Sequence, residues 1–430
     1  METKCKCIVF QIALAFVLTS CGQQQAEPVP QPPSTSPASP IPQKPPTPQA
    51  PEDPQTPQAP SVPEVKDPVQ EQLAGMTTEQ KLGQMVLVGL KGATAQSDAE
   101  EMMNKYHVGG FILYKDNINN AKQTLGLLNQ LKQMNRNHGV PLWLSLDQEG
   151  GLVSRMPREF TETPAAADIS RYDDPNYTYA IHQAIGEEVA SLGFNMDFAP
   201  VLDINSNPDN PVIGQRSFGT TVEKVIRHGS QAMKGISSKG VVPVIKHFPG
   251  HGDTSVDSHL ELPVVNKSLE ELEAFEIRPF ADAIQHQADV VMVAHLLLPK
   301  VDSKAPASLS KKMITGLLRE KLKFKGVVIT DDMTMGGIVK HHEIGKAALQ
   351  SVQAGSDIVL IGHDYTMQKR VLEALKQGMQ SGVLTERMVD ERVYRILKLK
   401  HKYGLADQKT EPVNVSEINR KISKVLDLHP

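Results

Sequence analysis

Between residues 67 and 405, eight short apolar runs alternate with longer amphipathic segments, and polar residues able to do chemistry stand at the ends of five of those runs. Both observations predict an α/β fold, a (β/α)8 TIM barrel forming a single catalytic domain. The runs are 85–88, 110–113, 142–146, 195–198, 241–245, 290–293, 327–329 and 358–361. Helical patterning fills 121–136, 179–192, 222–238, 268–285, 311–322 and 367–381, and a last helix over 386–403 closes the domain. Thr77 with Gln80 three residues on reads as a capping box that opens the first helix. Strict alternation favours parallel pairing, and eight units favour a closed barrel over an open doubly wound sheet.

The ends of the chain differ from this middle. Lys4 and Lys6 precede an apolar run from Ile8 to Leu18 that is too short to span a membrane and reads as an export signal over residues 1–20. It closes in Leu18-Thr19-Ser20-Cys21, which looks like a bacterial lipobox. That predicts cleavage before Cys21, lipidation of its sulfur and an extracytoplasmic, membrane-anchored protein. The alternative is a plain secretory signal in which Cys21 is incidental. Sixteen of the 31 prolines lie between Pro28 and Pro68, so residues 21–66 read as a disordered, semi-rigid tether with little to bury. Residues 406–430 are left as a C-terminal tail.

Composition removes several classes of function. The other two of the three cysteines, Cys5 and Cys7, fall inside the leader, so the barrel has no disulfide, thiol nucleophile or thiolate metal site. A net charge of −4 without a long basic run argues against a nucleic-acid partner. No cofactor is expected, and the domain is expected to act as a monomer.

The densest chemistry lies from Lys246 to His259, where three histidines and two aspartates occupy fourteen residues directly after an apolar run. Gly250, Gly252 and Pro249 let the polar side chains converge instead of spreading along a helix. Asp257 and His259 stand two apart, so the carboxylate can orient and charge-tune the imidazole as a proton donor near neutral pH. On the barrel framework Asp147, Asp203, Arg216, Lys246, His247, His295 and Asp331 all come to the C-terminal ends of strands, where such barrels keep their active sites.

The loop Lys-His-Phe-Pro-Gly-His-Gly-Asp-Thr followed by Asp-Ser-His resembles the signature of glycoside hydrolase family 3, in particular its NagZ-type β-N-acetylglucosaminidases. Asp147 to Gly151, Asn195 to Asp203, Asn207-Pro208, Gly214 to Gly219 and Thr330 to Met333 fit the family pattern in order, so the resemblance covers roughly Pro68 to Leu405. It implies a retaining enzyme acting on a carbohydrate, with Asp331 as nucleophile, His259 as acid/base and Asp257 as its partner. It further implies Asp147, Arg216, Lys246 and His247 as sugar-binding groups. His251 and Asp253 are expected to shape the loop, and His295 to stand at or behind the pocket wall. The implied substrate is a terminal β-N-acetylglucosamine on a peptidoglycan fragment or a chitin oligosaccharide. Where the family often has Arg after Glu-Gly-Gly, this chain has Leu152, with Arg155 three residues on.

Other readings remain at this level. Asp331 or Asp332 could merely cap the next helix. His247, His251, Asp253, Asp257 and His259 could be metal ligands, although Lys246 would compete with a cation and no metal is expected. An imidazole acid/base repels anions less than a carboxylate would, so phosphate could replace water as the acceptor. A β-glucosidase or β-xylosidase keeps the family and changes the sugar. A tethered sugar-binding lipoprotein keeps the sugar and drops the chemistry, but it would want two closing lobes.

Overall fold

The computed structural model describes residues 67–412 and 414–429; the leader, Cys21 and the proline-rich segment lie outside them. Each apolar run becomes a strand: β1 Val86–Gly89, β2 Gly110–Ile112, β3 Trp143–Leu146, β4 Met196–Asp197, β5 Val242–Phe248, β6 Val290–Val293, β7 Val327–Thr330 and β8 Val359–Ile361. All eight pair in parallel in the order β7-β6-β5-β4-β3-β2-β1-β8. A parallel bridge between Ile329 and Ile358 joins the two ends, and the Thr330 amide donates to the Ile358 carbonyl at 3.1 Å. The sheet thereby nearly closes into a barrel, and every strand is buried on both faces. That is why these segments read as continuous apolar runs rather than alternating ones.

The helices follow the sequence with small shifts. Thr77 caps the helix Thr78–Gln84 in a reciprocal box with Gln80. The segment 268–285 is two helices, Leu269–Ala274 and Arg278–Gln285, instead of one. Pro279 has no N–H to continue an i→i−4 ladder, so it fits only in a first turn, and a new helix starts around it. Segment 311–322 forms a π-helix, Lys312–Lys321. The residues read as a tail include a helix, Val415–Leu426, capped by Asn414 and burying Ile418 and Ile422.

The two ends of the barrel are built differently. At the N-terminal end, buried Lys400 donates to Gln84 Oε1 at 2.8 Å, the Gly109 carbonyl at 3.1 Å and the Pro141 carbonyl at 2.6 Å. Its ammonium also lies 5.3 Å from the centre of the Trp143 ring. Burial pulls its pKa down to about 7, with Asp407 opposing the shift, and the three acceptors fix the group against the barrel floor. The C-terminal end is open and polar.

Candidate active site

A cavity of about 330 Å³ opens at the C-terminal ends of the strands. Asp147, Arg216, Lys246, His247, His251, His259 and Asp331 line it, together with apolar Phe198, Met292 and Leu360. Lys246 and His247 are consecutive in β5, yet both face this space. The β5–β6 register shifts between Ile245 and Phe248, and such an irregularity re-aims a side chain that strict alternation would send outward.

Asp203, following β4, is the hub for the end of β5. Its fully buried carboxylate accepts from the His247 amide at 3.2 Å, from His247 Nδ1 at 2.6 Å and from the His251 amide at 2.7 Å. Burial pushes the Asp203 pKa up, but His247 and these donors outweigh it and hold the group below its ordinary value. A carboxylate can only accept, so Nδ1 of His247 carries the proton, and Nε2 turns toward the cavity, 3.4 Å from Arg216.

The charges at the floor of the cavity satisfy one another. Buried Lys246 reaches Asp147 and Glu149, each at 2.7 Å. Arg216 grips Glu149 with two bonds of 2.8 and 2.7 Å. Burial disfavours the charged form of Glu149, yet Arg216 and Lys246 hold its carboxyl well below the usual range. Burial likewise works against the Lys246 ammonium, and Asp147 and Glu149 more than compensate, so its pKa is raised. The result is an array of acceptors and donors fixed by ion pairs, suited to sugar hydroxyls.

Asp331 follows β7 directly, and its amide donates to the Val293 carbonyl at 3.0 Å. Its carboxylate accepts from the Asp332 amide at 2.9 Å. Burial raises its pKa, but His247 and that amide outweigh burial, so Asp331 stays ionised below its ordinary range. The neighbouring Asp332 is spoken for. Its carboxylate accepts from Tyr114 Oη at 2.8 Å, Thr334 N at 2.9 Å, Thr334 Oγ1 at 2.8 Å and Gly362 N at 2.8 Å. Behind them His295 is fully buried, with Nε2 donating to the Asp332 carbonyl at 3.0 Å and Nδ1 2.7 Å from Ser308 Oγ. Burial lowers its pKa and keeps it neutral, so Nδ1 accepts from the Ser308 hydroxyl.

The 246–259 loop carries the dyad over this floor. His259 Nδ1 lies 2.7 Å from Asp257 Oδ1, which also accepts the His259 amide at 2.8 Å. The imidazole side chain is 62% exposed, so it reaches the cavity from the solvent side. The loop is pinned to the segment after Asp331: Gly337 N donates to the Ser258 carbonyl and Gly336 N to the His259 carbonyl, both at 3.1 Å. Of the loop's two glycines, Gly250 takes φ +131°, as backbone freedom predicts. Gly252 is required for space instead, because a Cβ there would stand 1.7 Å from the Ile204 carbonyl oxygen.

The glycosyl hydrolase family 3 N-terminal domain matches residues 77–399. The chain belongs to glycosyl hydrolase family 3. Over 368 residues it is 32% identical to the β-hexosaminidase A of Pseudoalteromonas piscicida, covering 76% of this chain and 61% of that protein. It is 33% identical over 336 residues to the β-hexosaminidase LpqI of Mycobacterium tuberculosis, covering 76% of this chain and 83% of that one. The solved structure of a family 3 β-N-acetylglucosaminidase from Paenibacillus sp. str. FPU-7 superposes with a TM-score of 0.76 at 40% identity, covering 81% of this chain and 68% of that one.

Within this family 3 barrel, seven of the ten sequence-named site residues line one cavity. Asp257 stands behind His259, His295 behind Asp331, and Asp253 is tied to Lys267 at 2.8 Å, away from the cavity. Of the five candidate metal ligands, His247, His251 and Asp253 each have a separate partner and Asp257 pairs with His259, and among the described residues no cluster of three or more His, Cys, Asp or Glu side chains could hold a metal. Glu149 is the residue the sequence reading passed over. Asp147 and Glu149 are two apart after a strand, so period-two alternation puts both on one side. Leu152 is 82% exposed and is not part of the cavity lining, whereas Arg155 is.

Proposed function

We propose that this family 3 enzyme is a retaining exo-β-N-acetylglucosaminidase that removes a terminal non-reducing β-N-acetylglucosamine from peptidoglycan fragments or chitin oligosaccharides. The observation that carries the reading is geometric: the Asp331 carboxylate at the end of β7 lines one cavity with the ion-paired Asp147, Lys246 and Arg216 and with His259 of the His–Asp dyad. In this mechanism Asp331 attacks the anomeric carbon while His259 gives its proton to the leaving oxygen, and a glycosyl ester forms on Asp331. His259, now neutral, takes a proton from the incoming water, which opens the ester and restores both groups. Asp147, Arg216, Lys246 and His247 hold the terminal ring, and Asp257 keeps the imidazole oriented. A cavity of about 330 Å³ is at the small end of ligand sites, which suits one sugar ring with the aglycone outside.

Release of p-nitrophenol from a panel of β-glycosides tests this directly. The N-acetylglucosaminide is expected to be cleaved far faster than the glucoside or xyloside, without added metal. Preference for the glucoside, or loss of activity in chelator, would overturn the assignment. Running the panel with and without phosphate separates hydrolysis from phosphorolysis, since only the latter yields a sugar 1-phosphate.

The proposed location is extracytoplasmic, with the chain held as a monomer by a lipid on Cys21. In a bacterial host the full chain is expected to incorporate labelled palmitate, and Cys21→Ala to abolish the label. Wild-type protein secreted without label would remove the anchor from the picture.

A further inference from the structure

Opposite the cavity, the N-terminal end of the barrel carries a cationic hollow of about 430 Å³. It is walled by the segments that enter β6 and β7 and by the last turns of the helix Glu386–Lys402, with Ile284, Phe324 and Leu399 among its apolar lining. Arg395 and Lys402 at this face are paired with Asp357 at 2.8 Å and Asp289 at 2.6 Å. Lys323, Lys325 and Lys398 are exposed there, and among the described residues none of the three is in an ion pair. An adjoining hollow shares Gln287, Asp289 and Lys402 and adds Lys234 and His286.

Two further observations make this face more than a solvated charge cluster. Lys323 holds a left-handed backbone at φ 59°, just past the end of the π-helix, a position where glycine is the favoured residue. The sequence keeps a cation at a position where the backbone would be easier without a side chain. The described chain also begins at this end. The Asp67 carboxylate accepts from Tyr394 Oη at 2.8 Å and lies near Lys398, one helical turn on, so the first described residue stands beside the hollow.

We propose that this face docks on an anionic lipid surface, the lysines meeting headgroup phosphates; its place in the cell rests on the anchored reading of Cys21. The proline-rich composition of residues 21–66 predicts no fixed orientation for an anchored domain, and the lysines then decide it. The cavity, at the other end of the barrel, faces away from the membrane toward polymeric substrate. Charge attraction of this kind acts only within a Debye length, about 10 Å at 0.1 M salt, so docking requires near contact and yields to salt.

The test uses the chain from Gly22 onward, which keeps both core clusters and lacks the leader and Cys21, so its outcome is independent of lipidation. It is expected to co-sediment with vesicles containing phosphatidylglycerol at low salt, to be released at high salt, and to ignore pure phosphatidylcholine. Each juxtamembrane lysine contributes about fivefold to such partitioning, so Lys323→Gln, Lys325→Gln and Lys398→Gln together should weaken it on the order of a hundredfold. Aryl-glycoside turnover should be unchanged in the triple variant, which also reports that it is folded. Undiminished binding by the triple variant, equal binding to both lipids, or binding of soluble poly(glycerol phosphate) without vesicle association would each overturn the proposal.

Discussion

Asp331→Asn is expected to lose nearly all turnover on every substrate, by roughly 10⁴-fold or more, equivalent to ~5.4 kcal/mol of transition-state stabilisation. The substitution keeps the size of the side chain, and its carbonyl oxygen can still accept from the Asp332 amide, so thermal stability should stay close to wild type. On the proposed mechanism, what is lost is the negative charge that bonds to the anomeric carbon, and no leaving group replaces that. A good aryl leaving group should therefore not rescue this variant. The pH profile follows from the same environment. Because the folded pKa of Asp331 is depressed, the group remains ionised as pH falls through the ordinary aspartate value of 3.8, and it fails only below that. An acid limb of kcat/KM governed by Asp331 is thus expected below 3.8. An active Asp331→Asn enzyme would move the nucleophile elsewhere.

The sequence made the barrel visible because closure buries each strand on both faces, leaving compact apolar runs separated by helical periods. It showed the site for a related reason: polar residues at strand ends interrupt apolar runs abruptly, as at Asp147, Lys246 and Asp331. Three things were harder to see. The break at Phe275 depends on whether Pro279 kinks a helix or starts one, and both are compatible with the same amphipathic pattern. The paired inward placement of Lys246 and His247 depends on the β5 irregularity, which no side-chain pattern announces. The position of Glu149 was available from alternation after Asp147, but its role depends on Arg216, 67 positions away, and only the fold brings that partner near. Long-range ion pairs of this sort are invisible to local spacing. The same holds for Asp203, whose buried carboxylate joins β4 to the His247–His251 segment.

His259→Ala should give a different pattern from Asp331→Asn, and the contrast is what assigns the two roles. If His259 protonates the leaving oxygen, its loss matters most where that oxygen would depart as a strongly basic alkoxide. On a natural disaccharide we expect a loss of about 10²- to 10⁴-fold, the usual contribution of general acid catalysis. On a p-nitrophenyl glycoside the phenolate leaves readily, so glycosylation should be far less affected, and the second step, which needs a base to activate water, becomes limiting. A burst of p-nitrophenol ahead of steady turnover is then expected, with kcat and KM falling together as the glycosyl ester accumulates. An added small nucleophile such as azide should restore turnover by replacing the activated water. Asp257→Asn should show the same pattern in milder form, since the carboxylate acts through the imidazole 2.7 Å away and an amide oxygen can still accept from Nδ1. The exposure of His259 supports separable effects, because its removal opens no cavity in the core and breaks none of the hydrogen bonds of Asp331 or of the ion-paired floor. Equal impairment on both leaving groups, without a burst, would show that the proton comes from another residue.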